Sequence, residues 1–215
     1  MVVGCGRTDT GVHASSFFAH FDWEGEFGSR FSDWEQAAWK LNGMLPADIG
    51  VKKIFQVDDR AHARFDATMR RYRYRILNRR IPSPLLSGRV WHLGQNLNVV
   101  AMHDAAQLLI GKHDFTSFRA THCQASSPIR TMDQINITEH NDEVHIAVSA
   151  RSFLHHQVRN ITGSLVLIGQ GKWTNADLAN ALEQRQRSAA GQTAPAEGLY
   201  LTEVIYPYLT PVSTG

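Results

Sequence analysis

No run of about 18 apolar residues occurs in this chain, so the sequence offers no helix that could cross a membrane. Cysteine is nearly absent too. Cys5 and Cys123 are far apart and form no CxxC pair, which argues against a disulfide framework and a zinc–thiolate site and suits a reducing, cytoplasmic setting. The opening residues, MVVGCGRTDTG, lack the basic-then-apolar pattern of a secretory leader. Internal repeats and low-complexity segments are missing as well, which excludes a solenoid or a biased disordered tract. What is present is globular in character. The 215 residues are 43% hydrophobic and 20% charged, enough to bury a core in one large domain or two small ones.

The formal net charge of +2 hides an uneven distribution. Between Arg60 and Arg80 the chain also carries Arg64, Arg70, Arg71, Arg73, Arg75 and Arg79, against the single acid Asp66. Arginine presents a planar donor fork that grips phosphate and stacks on bases. With Tyr72 and Tyr74 interleaved, the run points to a polyanion, and nucleic acid is the favoured partner class. A solvated basic face accounts for the same charges.

Val2 and Val3 read as the end of a strand, followed at once by the turn-prone Gly4–Gly6, and residues 16 to 21 as a second strand. A domain rarely begins on its central strand, so further N-terminal elements are expected before Met1. A loop is expected over Gly25–Ser29. A helix should start at Ser32, capped with Glu35 and ended by Asn42 and Gly43. Residues 50 to 57 look like a strand. Residues 70 to 77 are a clearer one, with Tyr72, Tyr74 and Ile76 on one face and Arg71, Arg73 and Arg75 on the other. Residues 99 to 110 predict a helix closed by Gly111. Alternating strands follow over 134 to 138 and 144 to 150, joined through His140–Asp142. A helix over about 155 to 169 puts Val158, Ile161, Leu165 and Ile168 on one side, and another begins near Thr174 with Asp177 in its first turn. A last strand spans Leu199 to Tyr206. This order predicts an α+β protein of largely antiparallel sheet in two packed lobes.

The chemistry-bearing segment is GCGRTDTGVH, residues 4 to 13. A dinucleotide-binding reading fails because the third glycine of GxGxxG would fall on Asp9, and the Gly-Lys-Ser/Thr ending of a P-loop is missing. What remains is a carboxylate between glycines, with Arg7 near enough in sequence to pair with it. A cation beside a partly buried carboxylate favours the ionised form that a nucleophile or base requires. An Arg–Asp pair that merely holds a turn explains the same residues.

GRTDTGVHA resembles the signature loop of the tRNA pseudouridine synthase A (TruA) family. Four further blocks resemble that family in order: His62–Phe65 with Ala67 and the RYRY of residues 71 to 74; Asp114–Arg119; FLHHQVRN, residues 153 to 160, with Gly163–Leu165; and Glu197–Leu201. Together they cover nearly the whole chain. Thr10 stands where the family has alanine, and Glu24–Ser32 reads as a longer loop than typical. A stretch with a YDG…GWQ-type motif that precedes the loop in the family is not in this sequence, which suggests a late start or a natural truncation.

The resemblance implies two α/β lobes with an active cleft between them, residues 1–60 forming a shortened N-terminal lobe and 61–215 the C-terminal one. It implies conversion of uridine to pseudouridine at positions 38 to 40 of the tRNA anticodon stem-loop, by a homodimer. Asp9 falls on the catalytic aspartate, Arg7 on the arginine beside it, Tyr72 on the tyrosine that contacts the target base, and Arg159 on an arginine that approaches the aspartate. The reaction is an isomerisation, so no metal or redox cofactor is expected. The adjacent His155 and His156, read as helix neighbours about 100° apart, are poorly placed to chelate one ion. Two other readings stay open: a non-catalytic RNA-binding protein derived from the family, and a carboxylate-dependent hydrolase, which would want a second acid near Asp9. If Arg71 and Arg73 contact phosphate, replacing either by alanine should weaken tRNA binding and lower the salt slope by about one unit each. A filter-binding titration that leaves the slope unchanged would count against that role.

Overall fold

The computed structural model describes residues 1–25 and 32–209. The loops expected over Gly25–Ser29 and Glu24–Ser32 fall largely outside the described residues. Among the described residues, ten strands and four α-helices alternate as an α+β fold of mostly antiparallel sheet.

The organising element is β4, Met69–Leu77, whose alternation of tyrosine and arginine gives a strand with two unlike faces. On one side it pairs antiparallel with β10, Leu199–Ile205, and on the other with β9, Glu143–Ala150. β9 continues as a hairpin with β8, Gln134–His140, and Asn141 takes a left-handed φ of 54° in the connecting turn. The two-residue strand β2, His13–Ala14, runs parallel to β10, and β5, Trp91–His92, runs parallel to the end of β4 that β10 leaves open. Two small sheets stand apart, one of β1, Val2–Gly4, with β3, Ala19–Phe21, the other of β6, Gly111–Asp114, with β7, Ile129–Met132.

Tyr74, Ile76, Ile135, Ile146 and Val148 point from the large sheet onto the helices. There they meet Met102 of α2, Val99–Ala106, the stripe Val158, Ile161, Leu165 and Ile168 of α3, Gln157–Gly169, and Leu178 of α4, Asn175–Gln184. α4 starts as expected, with Thr174 and Asp177 forming a capping box. A second, smaller apolar cluster gathers Cys5, Ala67, Leu201, Val204 and Tyr206, and Tyr72 packs against both.

Four expectations need correction. Residues 50 to 57 form no strand: the Asn42 side chain takes the Val51 C=O at 2.8 Å and N–H at 2.7 Å, occupying groups a ladder would need. The helix α1, Trp34–Asn42, is capped by Asp33, because its carboxylate accepts the Gln36 N–H at 2.8 Å, one residue later than a Ser32 cap would allow. α2 ends at Ala106 in a tighter turn over Gln107–Leu109, and Gly111 opens β6. Pairing of the second strand begins only at Ala19.

Arg70 departs from the phosphate role suggested by the basic run. It is buried, and its guanidinium donates to the carbonyls of Cys5, Arg64, Ala67 and Arg151. Arg70→Met should leave those carbonyls unpaired and destabilise the fold by about 3 kcal/mol. The check is a denaturant titration in which the midpoint falls while the m-value stays constant.

Candidate active site

The glycine loop is fixed at both ends. The Cys5 N–H donates to the Phe18 C=O at 2.7 Å, and the Cys5 C=O accepts two Arg70 N–H groups at 3.2 and 2.8 Å. Further along, the Val12 N–H closes a turn on the Asp9 C=O at 3.0 Å, with Gly11 at φ +85° supplying a conformation that side-chain-bearing residues resist.

The other half of the site comes from the start of α3. His156 sits at φ 63°, a left-handed conformation that disfavours a residue with Cβ by about 1–2 kcal/mol. That kink turns two consecutive imidazoles to one side. His155 Nε2 lies 3.0 Å from Asp9 Oδ1, and His156 Nε2 lies 3.1 Å from Oδ2. One turn into α3, Arg159 donates to Oδ2 at 2.7 Å and, through Nε, to the Ala194 C=O at 2.7 Å. The Ala194 N–H returns to the Arg159 C=O at 3.1 Å. The loop bearing Ala194 can lie this close because residue 163 is glycine: a Cβ there would stand 1.8 Å from the Gln192 carbonyl oxygen.

Tyr72 approaches from β4, its ring edge-on to Phe153 at 5.2 Å. Burial pushes its phenol up to about 12, and the Asp9 charge adds in the same direction, so it keeps its proton at neutral pH. Burial pushes the His156 imidazole below its ordinary 6.5, helped by His155, Arg159 and Arg187 and opposed by Asp9.

Asp9 and Arg159 therefore meet, and Tyr72 lies near enough to Asp9 to feel its charge. Arg7 does not pair with Asp9 as expected; it is exposed and donates to Gln124 Oε1 at 2.7 Å, while Arg159 in the first turn of α3 supplies the cation. Arg71 and Arg73 lie on the opposite face of β4 from Tyr72. Arg71 pairs with Glu203, and Arg73 lines a concavity of about 520 Å³ with Arg75, Glu143, His145 and Tyr200. The histidine pair was missed because its residues were read as helix neighbours, whereas they precede α3 across a left-handed kink. The HH of FLHHQVRN was visible, but its backbone conformation was not. The ligand atoms of Asp9, His155 and His156 lie within 4.8 Å of one another. A guanidinium already on Oδ2 places fixed positive charge where a dication would sit, so the group reads as a carboxylate in a cage of donors.

Residues 105–207 match the model of a family described as tRNA pseudouridine synthase. A protein named tRNA pseudouridine synthase A from Rhodospirillum centenum is 50% identical over 201 residues, spanning 94% of this chain and 80% of its own length. Namesakes from Mesorhizobium japonicum and Afipia carboxidovorans are 48% and 50% identical over 206 residues, spanning 94% and 95% of this chain and 81% and 82% of their own.

The lowered His156 value means that the unfolded chain binds more protons than the folded one just below pH 6.5, so stability is lost as pH falls through that window. Burial of His145 acts in the same sense. The melting temperature should be lower at a pH of about 5.5 than at about 7.5. That difference should shrink in His156→Asn, since asparagine tolerates the left-handed backbone; equal differences in the two proteins would refute the assignment.

Proposed function

The chain belongs to the tRNA pseudouridine synthase A family, and on that premise we propose that it isomerises uridine to pseudouridine at positions 38 to 40 of the tRNA anticodon stem-loop, with Asp9 as the nucleophile. The observation that carries the reading is the convergence of Arg159, His155 and His156 on one carboxylate beside a partly buried tyrosine. A uridine in a stem or stacked loop must leave the stack before its sugar or C6 can be reached. Tyr72 offers the extruded base a stacking face, an interaction of about 1–3 kcal/mol in other complexes. Asp9 attacks C1′ or C6, or takes a sugar proton to give a glycal; in each case the N1–C1′ bond breaks and C5 takes its place. Arg159 holds the carboxylate and receives its charge back when the enzyme is released. These steps use no metal or redox cofactor.

Arg7, exposed two residues before Asp9, belongs on this reading to the RNA side of the cleft. Arg71 and Arg73 serve the phosphates from the outer face of the sheet. Residues 1–60 and 61–215 act as the two lobes. In a homodimer, one subunit grips the tRNA body while the other's cleft receives the anticodon arm.

Tritium release from tRNA labelled at uridine C5 tests the reading. The chain should release tritium and the Asp9→Asn variant should not, with tRNA binding retained in both. No release from either protein, with tRNA still bound, would instead favour an RNA-binding protein without catalysis.

A further inference from the structure

Phe65 is 70% exposed, yet the turn that carries it, His62–Asp66, is tied down at every residue. His62 Nδ1 accepts the N–H groups of Arg64 and Phe65 at 3.1 and 3.2 Å, and the Asp66 carboxylate accepts the His62 N–H at 2.7 Å. The Asp66 N–H returns to the His62 C=O at 3.1 Å. The Ala63 N–H donates to His20 Nδ1 at 3.0 Å, and its carbonyl accepts the Tyr206 hydroxyl. The Arg64 carbonyl accepts Arg70 Nη2 at 2.7 Å, and the same nitrogen donates to the Cys5 carbonyl at 2.8 Å. One guanidinium nitrogen therefore links this turn to the loop that carries Asp9, and Phe65 directly follows the linked residue. A large apolar ring left in water forgoes the stabilisation of burial, and this firmly held turn keeps it there.

We propose that Phe65 and Arg64 form a stacking site for an unpaired RNA base next to the flipped uridine, a role that rests on the tRNA reading above. The Phe65 ring is backed by His62, with centroids 4.3 Å apart and planes 31° from parallel. The Arg64 guanidinium lies 6.0 Å from the Phe65 centroid. Arg64 is exposed, and so is Arg151, whose carbonyl accepts Arg70 Nη1 at 2.6 Å. Among the described residues neither arginine has an acid partner, so the ring stands amid unpaired positive charge. A protein partner calls for a contiguous apolar patch with charge depleted at its centre, which this turn does not offer. A nucleobase calls for a planar face, and its phosphate for a cation close by; the turn supplies both. Extruding one base leaves its neighbours without a stacking partner, and a ring tied to the Asp9 loop replaces the face they lose.

The test measures tRNA binding by the full chain and three variants across a range of salt. Phe65→Leu keeps an apolar side chain but loses the ring. Its binding should weaken by about 5-fold or more at every salt concentration, with the salt slope unchanged. Phe65→Tyr, which restores a ring, should recover the wild-type affinity. Arg64→Met should instead lower the salt slope by about one unit. A tRNA carrying 2-aminopurine beside the target uridine should lose fluorescence on binding the wild-type chain and keep it on binding Phe65→Leu. Because the ring is exposed, the melting temperature of Phe65→Leu should match that of the wild type. Leucine binding tRNA as tightly as phenylalanine overturns the proposal. So does a Phe65→Leu variant whose melting temperature or oligomeric state changes, since the ring then packs against protein. Binding that depends on Phe65 without tritium release refutes the Asp9 chemistry and leaves the stacking site standing; a wild-type chain that binds no tRNA overturns both.

Discussion

The site is organised around a single carboxylate. Asp9 comes from the loop after the first strand, its partners from residues 155 to 159, and the contact joins segments separated by most of the chain. Both members of the central ion pair are largely withdrawn from water, with side chains 20% and 14% exposed. Burying a charge pair returns little net stability, since desolvation consumes most of the Coulombic gain. An apolar pair of similar volume would join the same elements without that loss. The carboxylate is therefore better explained by chemistry than by adhesion, and the surrounding structure reads as the means of holding it in place.

Two supports do that holding, and each uses an arginine differently. Arg70 satisfies four backbone carbonyls from inside the fold, among them that of Cys5 at the foot of the Asp9 loop. Arg159 reaches Asp9 while its Nε is tied to the Ala194 carbonyl, in a loop seated directly on Gly163 and linked to the helix by the Gly191 N–H to Ser164 Oγ at 2.9 Å. Between them runs β4, which places Tyr72 and the buried Tyr74 on one face while turning Arg71 and Arg73 to the other. One strand thus serves packing and a basic outer surface by alternation alone.

That alternation is also why so much of the fold was legible in the sequence. β4, the β8–β9 hairpin, the apolar stripe of α3 and the capping box of α4 each follow from a local period or a local hydrogen bond. What could not be read depends on partners distant in sequence. Residues 50 to 57 carry strand-like residues, yet the Asn42 side chain claims the backbone of Val51. β2 and β5 are two residues long and exist only because β10 and β4 present free edges. Arg7 is the nearest arginine to Asp9 in sequence, but nearness along a turn says little about direction; the cation came from residue 159. The histidine pair failed for a similar reason, since a left-handed kink at a residue other than glycine leaves no compositional trace.

The unequal crowding of the Asp9 oxygens bears on how a substrate could enter. Among the described residues, Oδ2 faces both Arg159 and His156, whereas Oδ1 faces only His155. Arg159 is anchored twice, so removing it from Oδ2 would disturb the Ala194 loop as well. His155 is half exposed and sits outside the helix, so its displacement disturbs least. Catalysis favours interactions that strengthen as the reaction proceeds over those that merely hold the resting state. On the proposed reading, a flipped uridine that exchanges the His155 contact for its own reacting carbon gives up one hydrogen bond and leaves the Arg159 pairing intact. The attacking oxygen is then Oδ1, and Oδ2 stays under the guanidinium throughout, where charge returns when the substrate is released.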